Sequence, residues 1–260
     1  MLWNWNTATV VAIKDMSSTV RSFLLRPEIT QNNPTSHQAG QFITLDLPIS
    51  ERRRERWRSY SIANAANDDG TLELCIARLP NGRGTTYLFE QITVGSTITY
   101  KGPDGNFLLP HTQSPIVMIC TGTGVAPFRA MLQELFQTRN NHLNNTKNSE
   151  PLPQNIHLII GTRYAADILY LDEWKNITQQ HTNIRISFAL SREPAISSDI
   201  INENSRLNAV AGYVHQLYTP EISPNTQYLL CGWQAMLDEA RKILETRGVP
   251  KENILYELYG

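Results

Sequence analysis

Two rhythms of apolar and polar positions divide this chain. In its first half, short stretches rich in Val, Ile, Thr, Phe and Tyr recur between turn signals, at residues 8–13, 20–25, 42–47, 58–62, 72–78 and 97–101. Runs of this length and composition predict strands. Asn67-Asp68-Asp69-Gly70 has the residues of a hairpin turn. Several short strands at this spacing predict an antiparallel barrel. Residues 85–91, which follow a glycine turn, predict a short helix.

From about residue 112 strands and helices alternate. Strands are predicted at 116–120, 156–161, 184–190, 228–231 and 254–259, and helices at 127–138, 168–178 and 235–247. That alternation predicts a doubly wound parallel sheet. The expected architecture is therefore α+β with two domains: an antiparallel β-barrel over residues 1–110 and an α/β domain over 111–260. The join is placed near Gly102-Pro103-Asp104-Gly105. The Asn-rich stretch 140–154 reads as a solvated surface loop. No internal repeat is visible.

Composition narrows the function classes. The 260 residues are 41% apolar and 18% charged, with a net charge of −1, which argues against bulk attraction to nucleic acid or an anionic membrane. No apolar run approaches the ~20 residues of a membrane helix. Met1-Leu2-Trp3-Asn4-Trp5-Asn6 lacks the features of a signal peptide, so a cytoplasmic location is expected. Cys75, Cys120 and Cys231 are odd in number and far apart, which suggests no disulfide framework. Three thiols are also too few for a self-contained Cys-ligated iron–sulfur cluster. The six histidines show no metal-ligand spacing, and no metal is expected.

Four stretches carry candidate chemistry. In a strand, Arg58 and Tyr60 project to one face, and Ser59 and Ser61 to the other. A flavin needs a flat apolar surface, a cation for its phosphates and a hydroxyl near N5; Tyr60, Arg58 and Ser61 are of those types. The plain alternative is an exposed arginine and two strand hydroxyls. Next, Gly82-Arg83-Gly84-Thr85-Thr86-Tyr87-Leu88 precedes the short predicted helix. Its glycines and helix start suit a pyrophosphate, although Pro80-Asn81-Gly82 also suits an ordinary hairpin. Third, Thr121-Gly122-Thr123-Gly124-Val125-Ala126-Pro127 lies between a buried strand and a helix, where α/β sheets bind nucleotides; a tight turn without ligand is the alternative. Fourth, Cys231-Gly232 ends another strand, facing a ligand or simply buried in the core.

Taken in order, these stretches resemble the ferredoxin–NADP reductase family of FAD flavoproteins over nearly the whole chain. Arg58, Tyr60 and Ser61 match an R-x-Y-[ST] flavin motif. Gly82, Thr85 and Leu88 match G-x-x-[ST]-x-x-L, and Gly122, Gly124 and Pro127 match G-T-G-x-x-P. Cys231 and Gly232 match a C-G pair beside the nicotinamide. Glu257-Leu258-Tyr259 resembles the E-x-Y end of plant-type members, with Gly260 as one extra residue. The resemblance implies FAD in the barrel, held by Arg58, Ser59, Tyr60, Ser61, Ile76, Ala77, Arg78, Gly82, Gly84, Thr85 and Thr86. It implies a nicotinamide at Thr123, Gly124, Cys231 and Gly232. Ser61, Cys231, Glu257 and Tyr259 are the implied catalytic residues, with Tyr259 covering the flavin ring and moving aside for the nicotinamide. Ferredoxin or flavodoxin is the implied electron-transfer partner.

The nicotinamide's identity rests on further likenesses. Gly161-Thr162-Arg163-Tyr164 and Ser191-Arg192-Glu193 resemble NADP-using members, in which arginine meets the 2′-phosphate. Ala211-Gly212-Tyr213-Val214 instead resembles NADH-dependent oxygenase reductases. The weight falls on NADPH, held by Arg163, Ser191 and Arg192. The run Arg52-Arg53-Arg54-Glu55-Arg56 is either a solvated loop or a docking patch for an acidic carrier. Three rival readings stand beside this one: an NADH-dependent reductase component of an oxygenase, a non-catalytic flavoprotein subunit of a larger complex and, least favoured, a two-domain nucleotide-binding protein without flavin.

Overall fold

The computed structural model describes residues 5–28, 36–144, 153–193 and 206–258, with side chains at 139–144 left aside. Its first sheet contains β1 (Asn6–Asp15), β2 (Val20–Pro27), β3 (Phe42–Asp46), β4 (Trp57–Ser61), β5 (Leu72–Ala77) and β6 (Thr97–Asp104), in the order β4-β3-β6-β1-β2-β5. Every pairing in it is antiparallel. The two outer strands meet through a bridge between Ile62 and Leu74 and a hydrogen bond from Ala63 N to Glu73 O (2.8 Å), so the sheet closes into the expected barrel. The turn at Asn67–Gly70 makes this closure possible: Gly70 N donates to Asn67 O (3.1 Å), and the Asn67 side chain clasps Thr71. Phe23, Leu25, Ile43, Leu45, Leu74, Ile98 and Tyr100 fill the interior. Helix α1 (Arg83–Glu90) joins that core through Leu88.

The second sheet contains β7 (Ile116–Thr121), β8 (Ile156–Thr162), β9 (Ile184–Leu190), β10 (Leu207–Ala211), β11 (Gln227–Gly232) and β12 (Ile254–Leu258). All are parallel, in the order β10-β9-β8-β7-β11-β12. Helix α2 (Val125–Asn144) follows β7 in the chain, and among the described residues α3 (Leu171–Gln180), α4 (His215–Tyr218) and α5 (Gln234–Thr246) accompany the later strands. The chain winds outward from β7 in one direction and then returns to β11 on its other side. The strand order therefore reverses between β7 and β11, where α/β sheets open a crevice at their carboxyl ends.

The structure departs from the sequence expectations at four places. β10 was not predicted; only Leu207 of its five residues is buried, so it has no alternation to read. β6 runs through Asp104, so the glycines at 102 and 105 end a strand instead of forming a linker. Helix α2 continues to Asn144, past the expected start of a loop at 140. The helix expected from 168 begins at Leu171, because Ala165–Asp167 forms a separate 3-10 turn and Tyr170 takes a left-handed conformation (φ 59°).

The contacts divide the chain into two compact units, Met1–Leu109 with Ala126–Asn145, and Pro110–Val125 with Thr146–Gly260. Helix α2 thus belongs with the barrel. Arg129 donates to Ala63 O (2.8 Å) and pairs with Glu73 (2.8 Å), Gln133 accepts from Ala65 N (3.0 Å) and Glu134 accepts from Ala39 N (2.8 Å). No helix among the described residues is long and apolar enough to cross a membrane.

Candidate active site

In the barrel unit, β4 and α1 bring an arginine to a helix start. An added Cβ on Gly84 would lie 3.0 Å from both Cγ and Nε of Arg58, so the arginine stem lies directly over this glycine. The Arg58 head donates to Trp57 O (2.7 Å) and Glu55 O (3.0 Å). No side chain caps α1. Thr85 Oγ1 turns back instead, accepting from Leu79 N (3.1 Å) and donating to Gly82 O (3.1 Å), while Thr86 N bonds Gly82 O (2.8 Å). The first N–H groups of the helix lack partners within it and remain available to an anion. A glycine-floored helix start under a guanidinium fits the pyrophosphate of FAD.

The other residues expected around the flavin are placed less uniformly. Tyr60 is 8% exposed and belongs to the barrel core, with little open ring surface; burial pushes its phenol up to about 12, against the pull of Arg58. Ser61 is buried, while Ser59 is exposed, its hydroxyl 2.9 Å from that of Thr44. Ile76 and Ala77 end β5. Arg78 is not brought to the cradle: its guanidinium pairs with Glu90, at the opposite end of α1. Sequence position alone cannot tell which way a long side chain turns after a strand ends.

In the second unit, the glycine turn and the C-G pair lie against each other. A Cβ on Gly124 would come within 2.5 Å of the Cys231 carbonyl oxygen. One on Gly232 would come within 2.3 Å of Thr121 Oγ1, which also lies 3.4 Å from Trp233 N. Gly122 has φ 54° and open space where a Cβ would stand. Thr123 is largely buried. Cys231 pairs in register with Cys120 on one side and Glu257 on the other, so two thiols and a carboxylate line up across three strands. Burial, and then Glu257, push the Cys231 thiol well above its ordinary pKa, which keeps it neutral. Trp233, 58% exposed, precedes α5, which has no side-chain cap. Tyr259 lies outside the described residues.

The two expected arginines also come together. After β8 and β9 the backbones remain paired: Ser191 N donates to Thr162 O (3.0 Å), and Arg192 N to Arg163 O (2.9 Å). Both arginines are exposed. Glu193, to which the sequence assigned no role, accepts from Ala165 N (2.7 Å). The two residues are 28 positions apart, and nothing local in the sequence signals the contact.

The basic run forms a 3-10 turn, Arg53–Arg56. Arg56 pairs with Asp46 (2.8 Å), and Glu55 lies between Arg52 (3.3 Å) and Arg83 (3.7 Å). Arg53 and Arg54 are exposed, with no acidic partner among the described residues.

Two family models match this chain in succession. "Oxidoreductase FAD-binding domain" matches residues 7–108, and "Oxidoreductase NAD-binding domain" matches 118–242. Among curated relatives, the chain is 28% identical to ferredoxin–NADP reductase B of Sorangium cellulosum, covering 97% of this chain and 96% of that one. It is 29% identical to a flavohemoprotein of a Burkholderia species, covering 99% of this chain and 60% of that one. The chain thus spans about three fifths of that relative's length. Among solved structures it superposes on the Amycolatopsis cytochrome P450 reductase GcoB with a TM-score of 0.78 at 27% identity, over 98% of this chain and 69% of that one. With a closed barrel matching the FAD-binding model and a doubly wound sheet matching the NAD-binding model, the chain belongs to the ferredoxin–NADP reductase family of FAD- and nicotinamide-binding oxidoreductases.

Proposed function

We propose that the chain transfers hydride between NADP(H) and FAD, and exchanges single electrons with a ferredoxin or flavodoxin. The observation that carries the NADP assignment is the backbone pairing of Arg163 and Arg192 just after adjacent strands, which starts two exposed arginine side chains from neighbouring positions. A 2′-phosphate is a dianion, and paired arginines meet it with several charge-assisted hydrogen bonds. When bound, the flavin supplies the conversion between two-electron and one-electron transfer. Arg58 and the start of α1 hold its pyrophosphate, and Ser61 offers a hydroxyl to its N5. Gly122, Thr123 and Gly124 seat the dinucleotide phosphates, with backbone where side chains would intrude. Cys231, neutral at working pH, lines the nicotinamide pocket. Glu257, adjacent in register, is the proton-linked group. Arg53 and Arg54 offer positive charge to an acidic carrier, and such steering weakens with salt.

Anaerobic stopped-flow reduction of the bound flavin by NADPH and by NADH tests this reading. Bleaching by NADPH at least about tenfold more efficiently than by NADH is expected. Arg192→Ala should raise KM for NADPH about tenfold, with that for NADH nearly unchanged. Equal loss with both nicotinamides would remove the case for NADP. Preference for NADH would favour an oxygenase reductase component, a reading supported by the exposed Tyr213 that follows β10. No bleaching by either would leave the non-catalytic subunit.

A further inference from the structure

We infer that Glu193 is a positioning residue for nucleotide selection: it clamps the turn that carries Arg163 so that Arg163 and Arg192 present one joint site to a 2′-phosphate. The inference rests on the proposed NADP reading. A carboxylate beside the adenosine ribose ordinarily selects the opposite cofactor, because it accepts a hydrogen bond from a 2′-hydroxyl and repels a 2′-phosphate. Glu193, next to Arg192, has the residue type for that opposing role.

Its geometry gives it a different one. Oε2 of Glu193 accepts the N–H of Ala165 at 2.7 Å. Ala165 opens the 3-10 turn Ala165–Asp167, and no side chain at its own N-cap, Tyr164, bonds to that turn. Glu193 supplies the missing acceptor from the neighbouring loop, and a carboxylate on a free N–H at a helical start is a strong charge-assisted bond. The contact continues the backbone pairs Ser191 N to Thr162 O and Arg192 N to Arg163 O. Those pairs fix the backbone up to Arg163. The Glu193 contact fixes the residues just beyond it, so that Arg163 is tied on both sides. Joint recognition by two long side chains depends on where their stems start, which is what this third tie controls. A half-buried carboxylate that already holds a backbone donor is also poorly placed to take a ribose hydroxyl.

Titration calorimetry of the flavin-loaded protein with adenosine 2′,5′-bisphosphate and adenosine 5′-monophosphate tests the inference without hydride transfer. The wild type should prefer the bisphosphate. Glu193→Ala should weaken the bisphosphate about tenfold, even though it removes a negative charge, and leave the monophosphate within about twofold. Glu193→Gln keeps an acceptor oxygen for Ala165 and should hold bisphosphate affinity within about threefold of wild type. In flavin reduction, Glu193→Ala should raise KM for NADPH and leave kcat unchanged. Unchanged or tighter bisphosphate binding in Glu193→Ala would show that the carboxylate opposes the phosphate or is indifferent to it, and would overturn the positioning role. Parallel loss of both ligands would reduce Glu193 to a merely structural residue and overturn it as well. A wild type with no bisphosphate preference would refute the NADP reading itself, and the inference with it.

Discussion

His157, on β8, uses both ring nitrogens. Arg185 donates to Nδ1 (2.8 Å), which leaves the proton on Nε2 to face Ser187 Oγ (2.8 Å). Burial first, and then the Arg185 guanidinium, hold its pKa down to about 3, with Glu221 pulling the other way. In the unfolded chain this imidazole titrates near ~6.5. Between those values the unfolded state takes up a proton that the native state refuses, so stability is full above about pH 6.5 and declines as pH falls toward 3. Glu221, held below its usual range by its bond to Arg185, adds to the loss at the acid end. His37 and His215 are also lowered, mainly by burial, and contribute in the same sense. The melting temperature should therefore fall steadily below about pH 6.5. His157→Gln should melt lower than wild type at pH 8 but lose less between pH 6.5 and 4.5. An equally steep decline in that variant would assign the acid sensitivity to other groups. None of this was legible in the sequence, where His157 sits in an apolar stretch with no metal-ligand spacing. Its partners lie 28 and 30 residues away, on the next strand.

Two glycines of the candidate sites separate recognition from folding, because what they approach differs in kind. Gly84, in α1, lies under the side chain of Arg58 from β4; Gly124, after β7, lies against the Cys231 backbone from β11. A side chain can move aside, whereas a sheet backbone cannot. Gly84→Val should displace Arg58 and weaken FAD binding about tenfold while the flavin-free protein melts almost as wild type; retention of FAD at full affinity would remove Arg58 and Gly84 from the cradle. Gly124→Ala should instead destabilise the second unit by about 2 kcal/mol, through overpacking, whether or not any ligand is bound. Denaturant unfolding distinguishes the two. Both glycines were legible from their settings between strand and helix, since close backbone approach is a common reason for glycine there. Strand β10 and the full length of α2 were not. An edge strand with a single buried residue carries no period, and asparagines that read as loop are carried along by a helix already propagating. Arg78 shows the same limit from the other side: it lies in the expected segment, but Glu90 and the Phe89 ring hold its guanidinium elsewhere.

At the scale of the whole molecule, the change of rhythm along the sequence made both architectures legible, but it drew one boundary where the contacts draw three. Helix α2 follows the first strand of the parallel sheet in sequence and is grouped with the barrel in space. Its contribution there is specific. Phe128 meets Phe107 (ring centroids 5.8 Å apart), Met131 lies beside Gly40, and Gln133 and Glu134 satisfy the N–H groups of Ala65 and Ala39. Arg129 and Glu73 form an ion pair whose side chains are 13% and 16% exposed. Glu73 also accepts from Ser22 (2.8 Å), so the pair ties α2 to β5 and β2 together. Breaking one side of so buried a pair costs about 3 kcal/mol, and in a domain of this size each 1 kcal/mol moves the melting temperature by about 5 °C. A fragment of residues 1–109 should therefore melt at least about 10 °C below the same fragment joined to residues 126–145 by a flexible Gly/Ser linker. Arg129→Met in the joined fragment should abolish much of that gain, because it leaves Glu73 buried without its arginine. Arg129→Met with Glu73→Leu should regain part of the loss, since an apolar pair of similar volume removes the stranded charge. Equal melting of the short and joined fragments would mean that the barrel is complete by residue 109 and that α2 only rests on it.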